Sequence, residues 1–249
     1  MIRGLYSSAA GMIAESLRND TIANNLANAS TTGYKKDIAV TKDFASMLIY
    51  RINDGAQAEQ IGSLGAGSLL DEVATIHTTG SIRPTGNQLD AAIEGQGYFT
   101  VETPNGVRYT RDGSFSRSGQ GQLVTKDGNR VLGVGGPIQL PDGQVTISPD
   151  GRIQVDGQQI GQLQLTEFAN ERQELQKEGS NLYVAKNGVQ GTPAANSQVL
   201  QSSLEMSNVN VVSEMVNMIA GQRTYEMNAK AIQAHDQLMD KAVNEVGKA

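Results

Sequence analysis

The last forty residues carry an apolar stripe with a 3.5-residue period. Val211, Met215, Met218, Gln222, Tyr225, Ala229, Ile232, Asp236, Met239, Val243 and Val246 follow alternating steps of four and three, and only Gln222 and Asp236 interrupt the apolar run. That spacing is the seam of a coiled coil. A softer stripe opens the chain at Ile2, Leu5, Ala9 and Met12 and continues through Ser16, Asn19, Ala23 and Leu26. Residues three and four apart share one helix face, so each end carries a strip that needs a cover. As one helix, Ser207 to Val246 would run roughly 60 Å at 1.5 Å per residue, longer than a domain of this size is wide. The other end of the chain and neighbouring chains are the available covers. The pattern points to assembly and not to catalysis.

Between the two stripes the text changes. From Gly55 to Pro193 lie all six prolines and every one of the 28 glycines except Gly4, Gly11, Gly33, Gly221 and Gly247. Both residues break helices, by roughly 3 and 1 kcal/mol relative to Ala, so the middle is not mainly helical. Asp-Gly occurs at 54-55, 112-113, 127-128, 142-143, 150-151 and 156-157, and Asn-Gly at 105-106 and 187-188. Such pairs accept the positive φ angles of tight hairpins. Short β-favouring runs sit between them at 98–101, 107–110, 122–125, 145–147 and 152–155, with Leu163, Leu165 and either Glu167 or Phe168 continuing the pattern. Turns at about ten-residue spacing predict a meander of short antiparallel strands in a sandwich or open barrel.

The expected fold class is therefore α+β. Paired N- and C-terminal helices, residues 1–40 and 205–249, form a coiled-coil-like, discontinuous assembly domain. A Gly-rich all-β domain fills 81–204. Residues 41–80 make a connector, irregular or extending the first helix through Phe44, Leu48 and Arg51.

Composition removes other functions. The net charge is -6 with a pI near 5.0, and Lys35-Lys36 beside Asp37 is no basic patch. Such a chain is a poor partner for nucleic acid or an anionic membrane. No run approaches a membrane-spanning length, so no integral membrane segment is expected. Ser7, Ser8, Glu15 and Ser16 interrupt any apolar signal-peptide region. Without cysteine there is no disulfide, Cys-based zinc site or thiol nucleophile. His77 and His235 stand far apart in sequence, and no H-E-x-x-H or G-x-S-x-G occurs. Gly62 to Gly67 and Gly133 to Gly136 lack the Lys-Ser/Thr of a phosphate loop, and the Asp-Gly pairs lack calcium-loop spacing. Asn28-Ala29-Ser30 is formally a glycosylation sequon and reads as chance. No catalytic residue, cofactor or metal ligand is expected.

The most specific local text is Thr21 to Lys36. Ile22 and Leu26 can pack, the asparagines offer amides, and Gly33 can take the left-handed conformation that stops a helix. Asn24, Asn25, Leu26, Ala27 and Asn28, followed by Ser30, Thr31, Gly33 and Tyr34, resemble the N-terminal signature of the bacterial flagellar rod and hook-basal-body proteins. Leu89 to Phe99, Tyr109 to Phe115 and Gly121 to Val124 resemble that family's central segment. Ser207, Asn208, Val209 and Asn210, with Gln222 to Asn228, resemble its C-terminal signature. The resemblance runs in order through both ends and the middle. The Ile2-Arg3-Gly4-Leu5-Tyr6 opening and the compact β-domain look like a rod protein more than a hook protein, with proximal and distal subunits both open.

The resemblance implies a structural subunit of the flagellar basal-body rod. It would polymerise through its terminal helices into the axial drive shaft that transmits torque for motility. Its partners would be copies of itself, other axial rod and hook proteins, and the type III export apparatus. It would span the periplasm after export without a cleaved signal peptide. The residues expected in the helix seams are Ile2, Leu5, Ala9, Met12 and Leu26, and Val211, Met215, Met218, Tyr225, Ile232 and Met239. The competing reading is a soluble, adhesin-like β-domain binding module whose helices merely dimerise; it predicts a closed dimer and a ligand groove.

Overall fold

The structure, a computed structural model, describes residues 2–43, 47–51, 59–64 and 67–244. The chain divides into two compact units. One comprises Met1–Leu26, Asp37–Ala74 and Val211–Ala249; the other comprises Ala27–Lys36 and Thr75–Asn210.

The first unit is built on two long helices, Ile2–Ala27 and Val211–Asn244. They run antiparallel. A Cβ added to Gly4 would lie 2.7 Å from His235 Nε2, one on Gly11 would lie 3.0 Å from Asn228 Nδ2, and one on Gly221 would lie 2.5 Å from Asn19 Oδ1. These pairs advance by about two turns on one helix as they retreat by two on the other, so the contact repeats along the seam. Glycine lets the backbones approach where a side chain would not fit.

The segment 41–80 departs from the sequence expectation. No helical extension passes Ala27. Strands Asp37–Asp43 and Ser68–Thr75 form one pair, and Met47–Arg51 pairs antiparallel with Glu59–Leu64. Met47-Leu48-Ile49-Tyr50 is rich in β-formers, and Gly62 and Ser63 opposite it weaken any helix. Phe44, which was expected to carry the helix onward, lies outside the described residues.

The second unit is the β-domain. Its largest sheet has ten strands, in the order Leu175–Gly179, Leu182–Ala185, Gly106–Thr110, Tyr98–Thr103, Arg130–Gly133, Leu123–Thr125 and Phe115–Arg117, with three short strands beside this path. The expected β-runs are all present. The hairpin between Arg152–Val155 and Gln158–Gln162 turns on Asp156-Gly157, with φ of 49° and 83°. That is the two-residue primed turn that Asp-Gly favours. Strand Tyr98–Thr103 is buried on both faces. Phe99 and Val101 join a core with Ile93, Phe115, Leu123, Val131, Ile153 and Val199, while Tyr98 joins Phe168, Leu175 and Tyr183 on the opposite side. Side chains alternate across a strand, so one strand serves two cores.

Two strand pairs close the domain. Gln198–Gln201 pairs with Ala91–Glu94, and Ser203–Glu205 pairs with Ile82–Pro84. Chain segments distant in sequence thus meet before the C-terminal helix begins.

Candidate assembly surface and signature cluster

The helix pair buries one line of residues and leaves others bare. On the C-terminal helix Glu214 and Gly221 are buried, and Met218, Tyr225, Asn228, Ile232, His235 and Met239 are half-buried. These positions again step by four and three. The seam expected from sequence therefore splits. Met218, Tyr225, Ile232 and Met239 belong to the packed line. Its other column is Glu214, Gly221, Asn228 and His235, in place of Val211, Met215, Gln222 and Asp236, which are exposed. A column of small and polar residues lets the helices come close, and apolar periodicity does not reveal it. On the N-terminal helix Leu5, Ala9, Met12 and Leu26 are half-buried, and Ala14, Ile22 and Asn25 are buried. The Ile2 side chain lies outside the described residues.

What stays bare is large and apolar. Val212 is 71% exposed, Val216 60%, Ile219 56% and Tyr6 68%, and Ile13, Leu17, Met215, Met227, Leu238 and Val243 are exposed too. Large exposed apolar side chains in this number mark a candidate binding face, and Val212, Val216 and Ile219, spaced by four and three, share one side of their helix.

The signature residues do different work. Asn25 caps the end of the N-terminal helix against the next strand: its Nδ2 donates to Asp37 O at 2.7 Å, and Asp37 N donates to its Oδ1 at 2.9 Å. A buried amide here replaces a strand's pair of backbone bonds. Within the β-domain, Asn208 accepts from Lys36 N at 2.7 Å and donates to Ile76 O and Thr78 O. Tyr34 is buried under the Lys177 ammonium, which sits 3.9 Å from its ring centre. Gly33 takes φ +66° and donates its N–H to Glu205 O at 2.8 Å.

Beneath these lies a buried charge cluster. Lys35, Glu205 and Arg111 have side chains that are 0%, 0% and 1% exposed. Lys35 Nζ and Gly80 N both donate to Glu205 Oε1, and Arg111 Nη1 donates to Oε2 at 3.3 Å. Lys35 also donates to Thr78 O, and Arg111 Nη2 to Gly95 O. The guanidinium lies 5.1 Å from the Tyr98 ring centre. Burial pushes the Lys35 ammonium below its usual value, and the Glu205 carboxylate works against that shift. Burial likewise raises the Tyr98 phenol and the Glu171 carboxyl. Sequence reasoning missed this cluster because it weighed Lys35-Lys36 only as a possible basic patch. The only sign was that Lys35, Arg111 and Glu205 each border a signature segment.

No cluster of His, Cys, Asp or Glu fit for a metal occurs among the described residues, and His77 contacts Tyr98 while His235 contacts Gly4. A groove of about 630 Å³ in the β-domain is lined by Val134, Pro149, Leu165, Pro193 and Ala194, with Asp150 its one ionisable residue. Asp150 pairs with Arg152. No described helix is long and apolar enough to cross a membrane.

The sequence matches known proteins along its length. Residues 5–35 match the flagella basal body rod protein model, 92–155 the flagellar hook protein FlgE/F/G D1 domain, and 200–245 the flagellar basal body rod FlgEFG protein C-terminal. The flagellar basal-body rod protein FlgG of Bacillus subtilis is 38% identical, over 98% of this chain and 99% of its own. The FlgG of Borreliella burgdorferi is 36% identical over 98% of both chains. The flagellar hook-basal body complex protein FlhO of Bacillus subtilis is 34% identical over the full length of both. The chain belongs to the flagellar basal-body rod protein family. It is a structural protein of that family and not an enzyme. Each matched segment covers one construction described above: the N-terminal helix with its asparagine turn, the β-domain core, and Glu205 and Asn208 with the C-terminal helix.

Proposed function

We propose that this rod-family subunit polymerises through its helical unit into the axial shaft that carries torque, with copies of itself and other rod and hook proteins as neighbours. One observation carries the reading. The helix pair makes its own contact with a glycine and polar column beside Met218, Tyr225, Ile232 and Met239, and leaves Val212, Val216, Ile219 and Tyr6 in water. A large exposed apolar side chain gains about 1.5–3 kcal/mol when covered. A heterologous contact whose rotation does not close into a ring generates a helical filament, the arrangement proposed for this face. The expected seam residues Leu5, Met12, Met218, Tyr225, Ile232 and Met239 then hold the subunit's own helices together, while Val211 and Met215 join the outer face. Many shared seams spread a mechanical load that one bond could not bear. The subunit is exported by the flagellar type III apparatus with its N-terminus intact, and the assembled rod spans the periplasm. The binding-module alternative draws no support from the groove, whose lining holds no convergent ionisable groups.

The test is V216D/I219D. Both positions are exposed in the free subunit, so its β-domain should melt normally and the variant should still be exported. Cells carrying it should form no rod and not swim. Normal motility would remove the outer face as the assembly surface.

A further inference from the structure

The buried cluster joins parts of the chain that are far apart in sequence. Glu205 lies 170 residues from Lys35 and 94 from Arg111. All three belong to the β-domain, with two cations and a single carboxylate completely removed from water. Without Glu205 the buried ammonium and guanidinium would keep only the half-buried Glu171 carboxyl near them, and a buried charge so poorly compensated takes a large share of a domain's stability. The strands that bring the carboxylate are also the last of the domain. Ser203–Glu205 has Ile82–Pro84 as its partner, and Gln198–Gln201 supplies the partner of Ala91–Glu94. Ser202 N further donates to Asp90 O at 2.7 Å. The segment Gly80–Gly95 therefore lacks its ladder until residues about a hundred positions later arrive, and loop closure over that length is slow.

We infer that Glu205 is the closing latch of the β-domain: Lys35 and Arg111 enter the interior only with it, after the folding transition state. A chain made from its N-terminus holds the central sheet of Tyr98–Thr103, Gly106–Thr110 and Arg130–Gly133 early, since those strands are near in sequence. The cradle for Lys35 and Arg111 stays open and hydrated until residues 198–208 appear. The consequence is a chain that cannot complete its fold before it is almost entirely synthesised. That property belongs to the β-domain and stands apart from the assembly reading, so either can fail alone.

The experiment uses the full-length protein, with folding and unfolding rates in urea followed by tyrosine fluorescence. E205Q keeps the side-chain shape and removes the charge; V131A trims the early sheet. E205Q should speed unfolding at least about tenfold and change refolding less than about twofold, whereas V131A should slow refolding. Slowed refolding of E205Q with unchanged unfolding would overturn the latch, as would no change in either rate. Should E205Q not fold, native-state hydrogen exchange of the unmodified protein decides. The latch amides of Gly33, Gly80 and Ser202 should exchange at least about tenfold faster than those of Thr100, Leu123 and Gln164. Equal exchange in the two sets would refute late closure.

Discussion

Gly33 is the sharpest single test of the signature cluster. Its φ is +66°, and a Cβ there would lie 2.4 Å from Asp112 N and 2.5 Å from the Arg111 carbonyl carbon. Three penalties meet in G33A. The left-handed conformation costs an L-residue about 1–2 kcal/mol. Overlap against backbone, which cannot swing aside, costs about 1–3 kcal/mol. Any shift that relieves it weakens the 2.8 Å bond from Gly33 N to Glu205 O, worth about 1 kcal/mol. The total is about 3–6 kcal/mol. Two controls separate the causes. Gly86 has φ +78° with nothing within 4 Å of its Cβ position, so G86A meets only the conformational penalty. A Cβ on Gly113 would lie 1.6 Å from Ala91 O with no positive φ, so G113A meets only the clash. For a domain of this size, 1 kcal/mol moves Tm by about 2–4 °C. Thermal denaturation followed by circular dichroism should show G33A lowered by about 6–24 °C and G86A by about 2–8 °C, with G113A lowered more than G86A. Equal Tm for G33A and G86A would show that the packing of Asp112 against the turn does not constrain this site.

Two further tests follow from the same geometry. N25A leaves Asp37 N and Asp37 O without their amide partner at a buried helix end, and each unmet buried backbone group costs about 1–3 kcal/mol; hydrogen exchange should show the Asp37–Asp43 strand loosened well before the β-domain core, and unchanged protection there would count against the role given to Asn25. Glu171 has its carboxyl raised chiefly by burial, with the Tyr98 hydroxyl, Arg111 and Lys35 holding it back. The folded form binds that proton more tightly than the unfolded form, so the stability it contributes is complete below the unfolded value of 4.5 and is lost as pH rises through the raised value. E171Q removes this loss, so the Tm gap between E171Q and the unmodified protein should widen in favour of E171Q as pH rises from about 4.5. Parallel Tm profiles across that range would contradict it.

The amino-acid sequence by itself determined the classes of structure and roughly where each lies. The seven-residue repeat of Met218, Tyr225, Ile232 and Met239, within a stripe that steps by four and three, made the C-terminal helix legible, because helix periodicity is local. Glycine and proline marked the β-domain for the same reason, and Asp156-Gly157 turned where its allowed φ angles put it. Segment 37–75 was misjudged. Strand propensity depends on a partner, and Asp37–Asp43 finds its partner about thirty residues later in Ser68–Thr75. Only the tertiary structure decided which side of each terminal helix faces inward. The inner column of Gly221, Asn228 and His235 has no apolar signature, because each close approach sets a glycine of one helix against a polar side chain of the other. The tertiary structure alone also decided that Lys35 is buried. A lysine in a charged doublet reads as solvated until the fold brings a carboxylate from 170 residues away to meet it. Local rules see neighbours along the chain, and the energy of a buried charge is set by neighbours in space.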